Sequence, residues 1–312
     1  MKKYFWILAA TFLGLSSCTK SQMVTDIPSD INAGSGSGIG SMAQGKRGVC
    51  FSTGTANWAQ RVVDLQAQWY YNWGSSDVTS SVVGAEFVPM IWGTNGMTDD
   101  ALKATCQAIN AMYQAKKCFF VLGFNEPDLS DQSNMTVATA LDKWQIMSET
   151  LDPGLKLVSP APSYPTRQWL YDFVAGCDSR KLRLDYIAVH IYAGIGTSIY
   201  ETAIKDCYAN CGNRKVWVTE FAPRDDNAST SGTNQYTPDR VLDFMKVVVP
   251  KYESMPEVFR YSWFSPGTAS YSPPNMLGLI TSQLTNNDGT ALTPLGEWYK
   301  TVDPNTAAQL PQ

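Results

Sequence analysis

Two glutamates in matching surroundings are the residues of this 312-residue chain best placed to do chemistry. Glu126 follows the apolar run Cys118-Phe119-Phe120-Val121-Leu122, within the segment Gly123-Phe124-Asn125-Glu126-Pro127-Asp128. Glu220 ends the segment Lys215-Val216-Trp217-Val218-Thr219-Glu220. A short apolar run bounded by polar residues reads as a strand buried on both faces. Each run therefore sets a carboxylate at the rim of a core. Pro127 has no N–H to donate to a sheet, so the chain turns directly after Glu126. Two carboxylates facing one cleft are the equipment for cleaving a glycosidic bond.

The roles follow from the neighbours. Glu126 is the candidate acid and base, and Asn125 beside it can hydrogen-bond a sugar 2-hydroxyl, a contact that strengthens in the transition state. Glu220 is the candidate nucleophile and must stay ionised, so it needs donors close by. His190 and Tyr192, in Ala188-Val189-His190-Ile191-Tyr192, end another apolar run and are the candidates to orient it. The bland alternatives are a satisfied core histidine and a glutamate that caps a helix or pairs on a loop. Trp73, Trp92, Trp263 and Phe264 end further apolar runs, where flat rings would stack on sugars; packing at a sheet edge is their alternative. Arg224, in Ala222-Pro223-Arg224, is placed to reach the substrate or to fold over the site. Other chemistries find less support. No Gly-x-Ser-x-Gly elbow accompanies the single histidine, and no cysteine ends an expected strand on the same face. With one histidine and no Cys-x-x-Cys pair, neither a metal nor a cofactor is expected.

These residues need a scaffold that brings many strand ends together. From Lys46 onward the pattern alternates between strand and helix. Strands are expected over 47–52, 68–73, 86–92, the run before Glu126, 156–161, 185–192, the run ending at Glu220, and 258–264. Helices are expected over 57–67, 98–114, 136–150, 168–176, 198–208, 238–253 and 295–301, and a weak one within the Ser-rich stretch 75–83. Thr136 suits an N-cap and Pro238 a first helical turn. Eight strands alternating with helices fit an α/β, single-domain (β/α)8 TIM barrel. An open doubly wound sheet is the alternative. The barrel is favoured because polar and aromatic residues recur at so many strand C-termini, the face where barrel active sites are built.

Composition narrows the class further. Hydrophobic residues make up 44% of the chain and charged residues 17%, so a globular protein with a modestly charged surface is expected. Net charge is -4 with no basic run, which excludes a nucleic-acid partner. Residues 1–17 read as a signal: Lys2 and Lys3 precede an apolar stretch, 4–15, too short to span a bilayer. It ends in Leu15-Ser16-Ser17-Cys18, which resembles a bacterial lipobox, so Cys18 is expected to become the lipidated first residue of an exported protein. The anchor would be lipid only, at the cell surface or in the periplasm. Residues 18–45, with Gly34-Ser35-Gly36-Ser37-Gly38, read as a flexible tether. The catalytic domain is expected over 46–303 and a tail over 304–312. Cys50 and Cys118 fall in inner strands and are expected as free buried thiols. Export makes disulfides possible, and Cys177, Cys207 and Cys211, near helix ends, are the bridge candidates.

Several motifs together resemble glycoside hydrolase family 128. They are Arg47-Gly48-Val49, Tyr71-Asn72-Trp73, Val88-Pro89-Met90-Ile91-Trp92, the Glu126 segment, Ser159-Pro160-Ala161, Asp185-Tyr186-Ile187-Ala188-Val189-His190, Trp217-Val218-Thr219-Glu220-Phe221, Tyr261-Ser262-Trp263-Phe264 and Ala291-Leu292-Thr293-Pro294-Leu295-Gly296. Asn-Glu-Pro alone is shared by many glycosidases; the combination is far more specific. The resemblance implies a (β/α)8 barrel that hydrolyses β-1,3-glucan with retention and without metal, with Glu126 as acid/base and Glu220 as nucleophile. A monomer acting on glucan oligo- and polysaccharides is expected. The loops 194–199, 225–236 and 267–274 are where members differ, so endo and exo action both stay open. The rival readings are a surface glycan-binding protein without activity and a hydrolase of another β-linked glycan.

Overall fold

The computed structural model describes residues 45–77, 82–228, 234–264 and 277–302. The expected signal, Cys18 and its tether, the loop 267–274 and the C-terminal tail lie outside them. Among the described residues no helix is long and apolar enough to cross a membrane.

Among the described residues eight strands appear: β1 (Arg47–Cys50), β2 (Trp69–Tyr71), β3 (Glu86–Phe87), β4 (Phe120–Leu122), β5 (Lys156–Val158), β6 (Ile187–Ala193), β7 (Val216–Pro223) and β8 (Val258–Trp263). All their pairings are parallel. One ladder runs β3-β2-β1-β8-β7-β6 and a second joins β4 to β5. Single parallel bridges, Met90 with Leu122 and Val158 with Tyr186, span the two seams. The cyclic order is that of a (β/α)8 barrel, with the ladder thinned at two places. Pro89 and Pro160 have no N–H to donate, which keeps β3 and β5 short beside those seams.

The helices are α1 (Trp58–Asp64), α2 (Asp99–Gln114), α3 (Val137–Thr150), α4 (Gln168–Arg180), α5 (Thr197–Asn210), α6 (Pro238–Ser254) and α7 (Pro294–Tyr299). Four of them start on a threonine whose hydroxyl accepts the backbone N–H three residues on: Thr98, Thr136, Thr237 and Thr293. Each cap satisfies a donor that would otherwise be orphaned at the helix start. The Ser-rich stretch after β2 forms no helix among its described residues, contrary to the sequence pattern.

The barrel interior is filled toward the N-terminal ends of its strands. Arg260 lies there against the rings of Phe120 at 4.6 Å and Trp217 at 4.9 Å, and donates to Glu86 at 2.7 Å. A buried cation held this way needs both the partner carboxylate and the ring faces to offset its lost hydration. This plug leaves the C-terminal end of the barrel as the open one.

Two expectations are corrected here. Trp263 is fully buried, and its indole N–H donates to Ser282 O at 2.7 Å. It packs outward against Phe221 and the helical layer rather than into the cleft. Side chains alternate along a strand, so Arg260, Ser262 and Phe264 share one face of β8 and Trp263 takes the other. The bridge candidates Cys177, Cys207 and Cys211 are free buried thiols, as are Cys50, Cys106 and Cys118. Cys207 and Cys211 are the nearest approach to a bridge, with sulfurs 4.0 Å apart, about twice a disulfide bond.

Candidate active site

Both glutamates reach the open end of the barrel through local departures from regular structure. Trp217 points into the interior, so plain alternation along β7 would turn Glu220 outward. A bulge prevents this. Val189 pairs with Val218 but His190 pairs with Glu220, leaving Thr219 as the extra residue. One inserted residue swaps the faces, and Glu220 points inward.

Glu126 is fixed differently. After β4, Gly123 passes so close to β5 that a Cβ would sit 2.6 Å from Pro160 N and 2.9 Å from Ser159 C, which only glycine tolerates. Asn125 N then donates to Trp92 O and Glu126 N to Ala161 O, each at 2.8 Å. The backbone is thus stitched to both neighbouring strand ends. It is held there with φ of 39° at Glu126, in the left-handed region that costs a side-chain-bearing residue about 1–2 kcal/mol. Trp73 shares this feature with φ of 60°, inside a turn where Gly74 N donates to Asn72 Oδ1. Such conformations persist only where surrounding contacts hold them, and they gather at functional sites.

The result is a compact polar cluster. Glu220 Oε1 accepts the Trp73 indole N–H at 2.9 Å and the Tyr71 hydroxyl at 3.1 Å. Its Oε2 accepts the Tyr192 hydroxyl at 2.5 Å. His190 lies fully buried between the two acids, with Nδ1 3.0 Å from Glu126 Oε1 and 3.5 Å from Glu220 Oε2. One oxygen of each carboxylate and the imidazole nitrogen all lie within 4.8 Å of one another. Asn125 donates its side-chain N–H to Gln132 Oε1 at 3.2 Å.

Burial lowers the His190 pKa, but the Glu220 charge and the hydrogen bond and charge of Glu126 outweigh it, so the ring is held above its ordinary value. Burial and the Glu220 charge push the Tyr192 phenol well up. For Tyr71 the causes are burial, then Cys50, then Glu220. Both phenols therefore remain O–H donors to the carboxylate. Burial and Glu220 likewise raise the Cys50 thiol beneath them, which keeps it protonated and unreactive.

Glu126, His190 and Glu220 are also the one group among the described residues close enough to hold a metal ion. Their hydrogen bonding does not suit one. Glu220 Oε1 already takes two donors, and Oε2 takes the Tyr192 hydroxyl with His190 alongside. Donors aimed at the lone pairs leave little coordination capacity and favour a bare carboxylate instead.

A cavity of about 580 Å³ opens above the cluster, walled by Trp73, Trp92, Asn125, Tyr192 and Phe264 with both glutamates on its floor. A second cavity, of about 530 Å³, shares Leu129, Ser163, Tyr192 and Arg224 with it, so the two form one groove. Of the expected catalytic and substrate-binding residues, all but His190 and Trp263 line the groove; His190 lies buried between the two acids. Trp73 contributes its N–H to Glu220 as well as its ring. Tyr71 was assigned no role from the sequence. Its signal was the alternation of Trp69 and Tyr71, which places both rings on the interior face.

A parallel (β/α)8 barrel with two acids converging at the ends of β4 and β7 defines a glycoside hydrolase. Residues 48–299 match the family model described as glycosyl hydrolase catalytic core. The chain belongs to this family, and its assignment to glycoside hydrolase family 128 rests on the relatives it resembles. Alkali-sensitive linkage protein 1 of Schizosaccharomyces pombe is 33% identical over 235 residues, which cover 73% of this chain and 40% of the yeast protein. The subgroup I endo-β-1,3-glucanase of Amycolatopsis mediterranei, solved with laminaritriose, is 29% identical with a TM-score of 0.66, covering 82% of this chain and 98% of that one. The subgroup III curdlan-specific exo-β-1,3-glucanase of Blastomyces gilchristii, solved with glucose, is 25% identical with a TM-score of 0.63, covering 84% of this chain and 100% of the other.

Proposed function

We propose that this protein hydrolyses β-1,3-glucan within the chain and with retention of configuration, using Glu220 as nucleophile and Glu126 as acid and base. The approach of the two carboxylates, with oxygens within 4.8 Å, is the observation that carries the reading. Retaining enzymes hold their carboxyl groups about 5–5.5 Å apart, whereas inverting ones leave about 6.5–9.5 Å for a water between them.

In the first step Glu220 Oε attacks the anomeric carbon, the bond to the leaving oxygen breaks, and Glu126 gives that oxygen its proton. Tyr71, Trp73 and Tyr192 donate to the attacking carboxylate and hold it in line. In the second step Glu126 takes a proton from water, which attacks the anomeric carbon and frees Glu220. His190 Nδ1, 3.0 Å from Glu126 Oε1, orients that acid. A groove running past both sides of the acids favours internal attack on a polymer.

Reducing-sugar release from purified laminarin, curdlan, mannan and xylan tests the substrate, with proton NMR of the first product testing stereochemistry. Release from the β-1,3-glucans with a β-anomer formed first is expected. Release only from mannan or xylan, or an α-anomer formed first, would overturn the reading.

We also propose that the mature chain begins at a lipidated Cys18. Replacing Cys18 with Ala is then expected to move the protein from the membrane to the soluble fraction. Mass spectrometry of an unmodified N-terminus cleaved elsewhere would count against it.

A further inference from the structure

We propose that Asn95 is a site of spontaneous deamidation, and that its conversion unties the loop that carries Trp92. Asn95-Gly96 is the one Asn-Gly pair in the chain. It lies between β3 and α2, on the loop that runs from Trp92 in the groove wall to Thr98, the N-cap of α2. Both residues are exposed. Met97 N donates to Thr94 O at 3.0 Å, which makes Asn95 and Gly96 the central pair of a β-turn. Gly96 has φ of 73° there, as the third residue of a type II turn requires.

The turn leaves the reacting atoms open. A Cβ built on Gly96 would meet nothing within 4 Å, and the Gly96 N–H makes no hydrogen bond among the described residues. With no side chain of its own to shield it, that nitrogen is free to lose its proton and attack. The Gly96 nitrogen gives its proton to hydroxide and bonds to Asn95 Cγ. The Cγ–Nδ2 bond breaks, and Nδ2 leaves as ammonia. Water then opens the succinimide that results. Opening at Cγ gives aspartate. Opening at the Asn95 backbone carbonyl gives isoaspartate, whose main chain runs through Cβ. No electrons are exchanged, and water is the only co-reactant.

The atom that leaves is the atom that holds the loop. Asn95 Nδ2 donates to Ser133 O at 3.0 Å, the one hydrogen bond of this side chain among the described residues. Ser133 is fully buried, and its own N donates to Asn125 O at 3.3 Å. The bond therefore links the Trp92 loop to the segment that carries Glu126. The two loops already touch there, since a Cβ on Gly93 would lie 2.8 Å from Ser133 Cβ. A carboxylate in place of the amide has no hydrogen to offer and sets negative oxygen against the Ser133 carbonyl. The isoaspartate form also lengthens the main chain within the turn. Either product removes the link.

The test ages the folded protein at mildly alkaline pH and maps its peptides by mass spectrometry, with isoaspartyl methyltransferase labelling of the rearranged form. Aspartate and isoaspartate are expected at position 95 before any other asparagine converts, with release of ammonia. Asn95→Gln, whose longer side chain closes a ring far more slowly, is expected to lose that first phase. Conversion of Asn95 only after unfolding in urea, or only after other asparagines, would overturn the site. Asn95→Asp, made directly, tests the untying. Hydrogen exchange at Met97 N and at Asn125 N, which donates to Trp92 O, is expected to quicken roughly fivefold to tenfold. Exchange at the unaltered rate in Asn95→Asp would show that the amide does not hold the loop. Both readouts are independent of activity on glucan, so a failure of the hydrolase reading leaves them standing.

Discussion

Glu220→Ala is expected to lower glucan hydrolysis by roughly 10⁵-fold or more, the scale on which loss of a nucleophile registers, and azide should restore turnover as an α-glycosyl azide. Without Glu220 no glycosyl-enzyme forms, and the space it vacates admits a small anion on the face opposite the leaving group. Glu126→Ala behaves differently. Loss of proton donation is expected to cost about 10²- to 10⁴-fold on glucan. An aryl glycoside with a good leaving group needs little protonation, so its first step should survive. The glycosyl-enzyme then accumulates because nothing activates water. Azide needs no base and attacks that intermediate to give the β-azide. The structural ground for the two roles is the difference in donors. Glu220 accepts three hydrogen bonds from Tyr71, Trp73 and Tyr192, as suits an anion that must stay charged. Among the described residues the Glu126 side chain faces only the His190 ring nitrogen. Rescue by azide followed by chiral analysis of the product decides between them. Exchanged stereochemistry would mean exchanged roles, and no rescue in either variant would remove the double-displacement mechanism.

The positions of the two acids were legible because they depend on local chemistry. An apolar run that stops at a polar residue marks a strand end whatever the fold. The same holds for Thr136 as a cap and Pro238 in a first turn, where hydroxyl geometry and a fixed φ act within one helical turn. What the sequence could not supply is the direction of Glu220. Counting alternation from the inward Trp217 turns Glu220 outward, and only the pairing with β6 reveals the extra residue at Thr219. A bulge is a property of two strands together, so one strand's pattern cannot announce it. The hydrogen bond from Trp73 was hidden for a related reason, since it needs a left-handed backbone at a tryptophan, which no propensity favours. Trp263 was legible but misread. Its neighbours Ser262 and Phe264 already took the interior face of β8, and strict period-two counting sends the indole outward. The cysteines near helix ends carried no geometric signal, because proximity to a terminus says nothing about which face a thiol occupies.

Removing His190 is expected to destabilise the fold by about 3–5 kcal/mol, as for a buried charge pair that loses one partner. The ring is fully buried, and the side chains of Glu126 and Glu220 are only 14% and 7% exposed, so water cannot take over its part. His190→Ala would leave two carboxylates converging with no donor between them. The effect has a pH signature that simple loss of packing lacks. The two acids hold the folded pKa of His190 above the unfolded value of about 6.5. The folded state therefore binds the proton more tightly than the unfolded chain. The stabilisation is fully present below about pH 6.5 and is lost as pH rises through the raised folded value. His190→Gln keeps a hydrogen-bonding side chain of similar reach but cannot titrate. Urea unfolding of the unaltered protein and of His190→Gln, taken in steps from about pH 6 to 9, should show a gap in stability that is widest at the acid end. It should narrow as the pH climbs. Two curves that run parallel across that range would mean that His190 holds no extra proton in the folded protein, and that its place between the acids is one of packing alone.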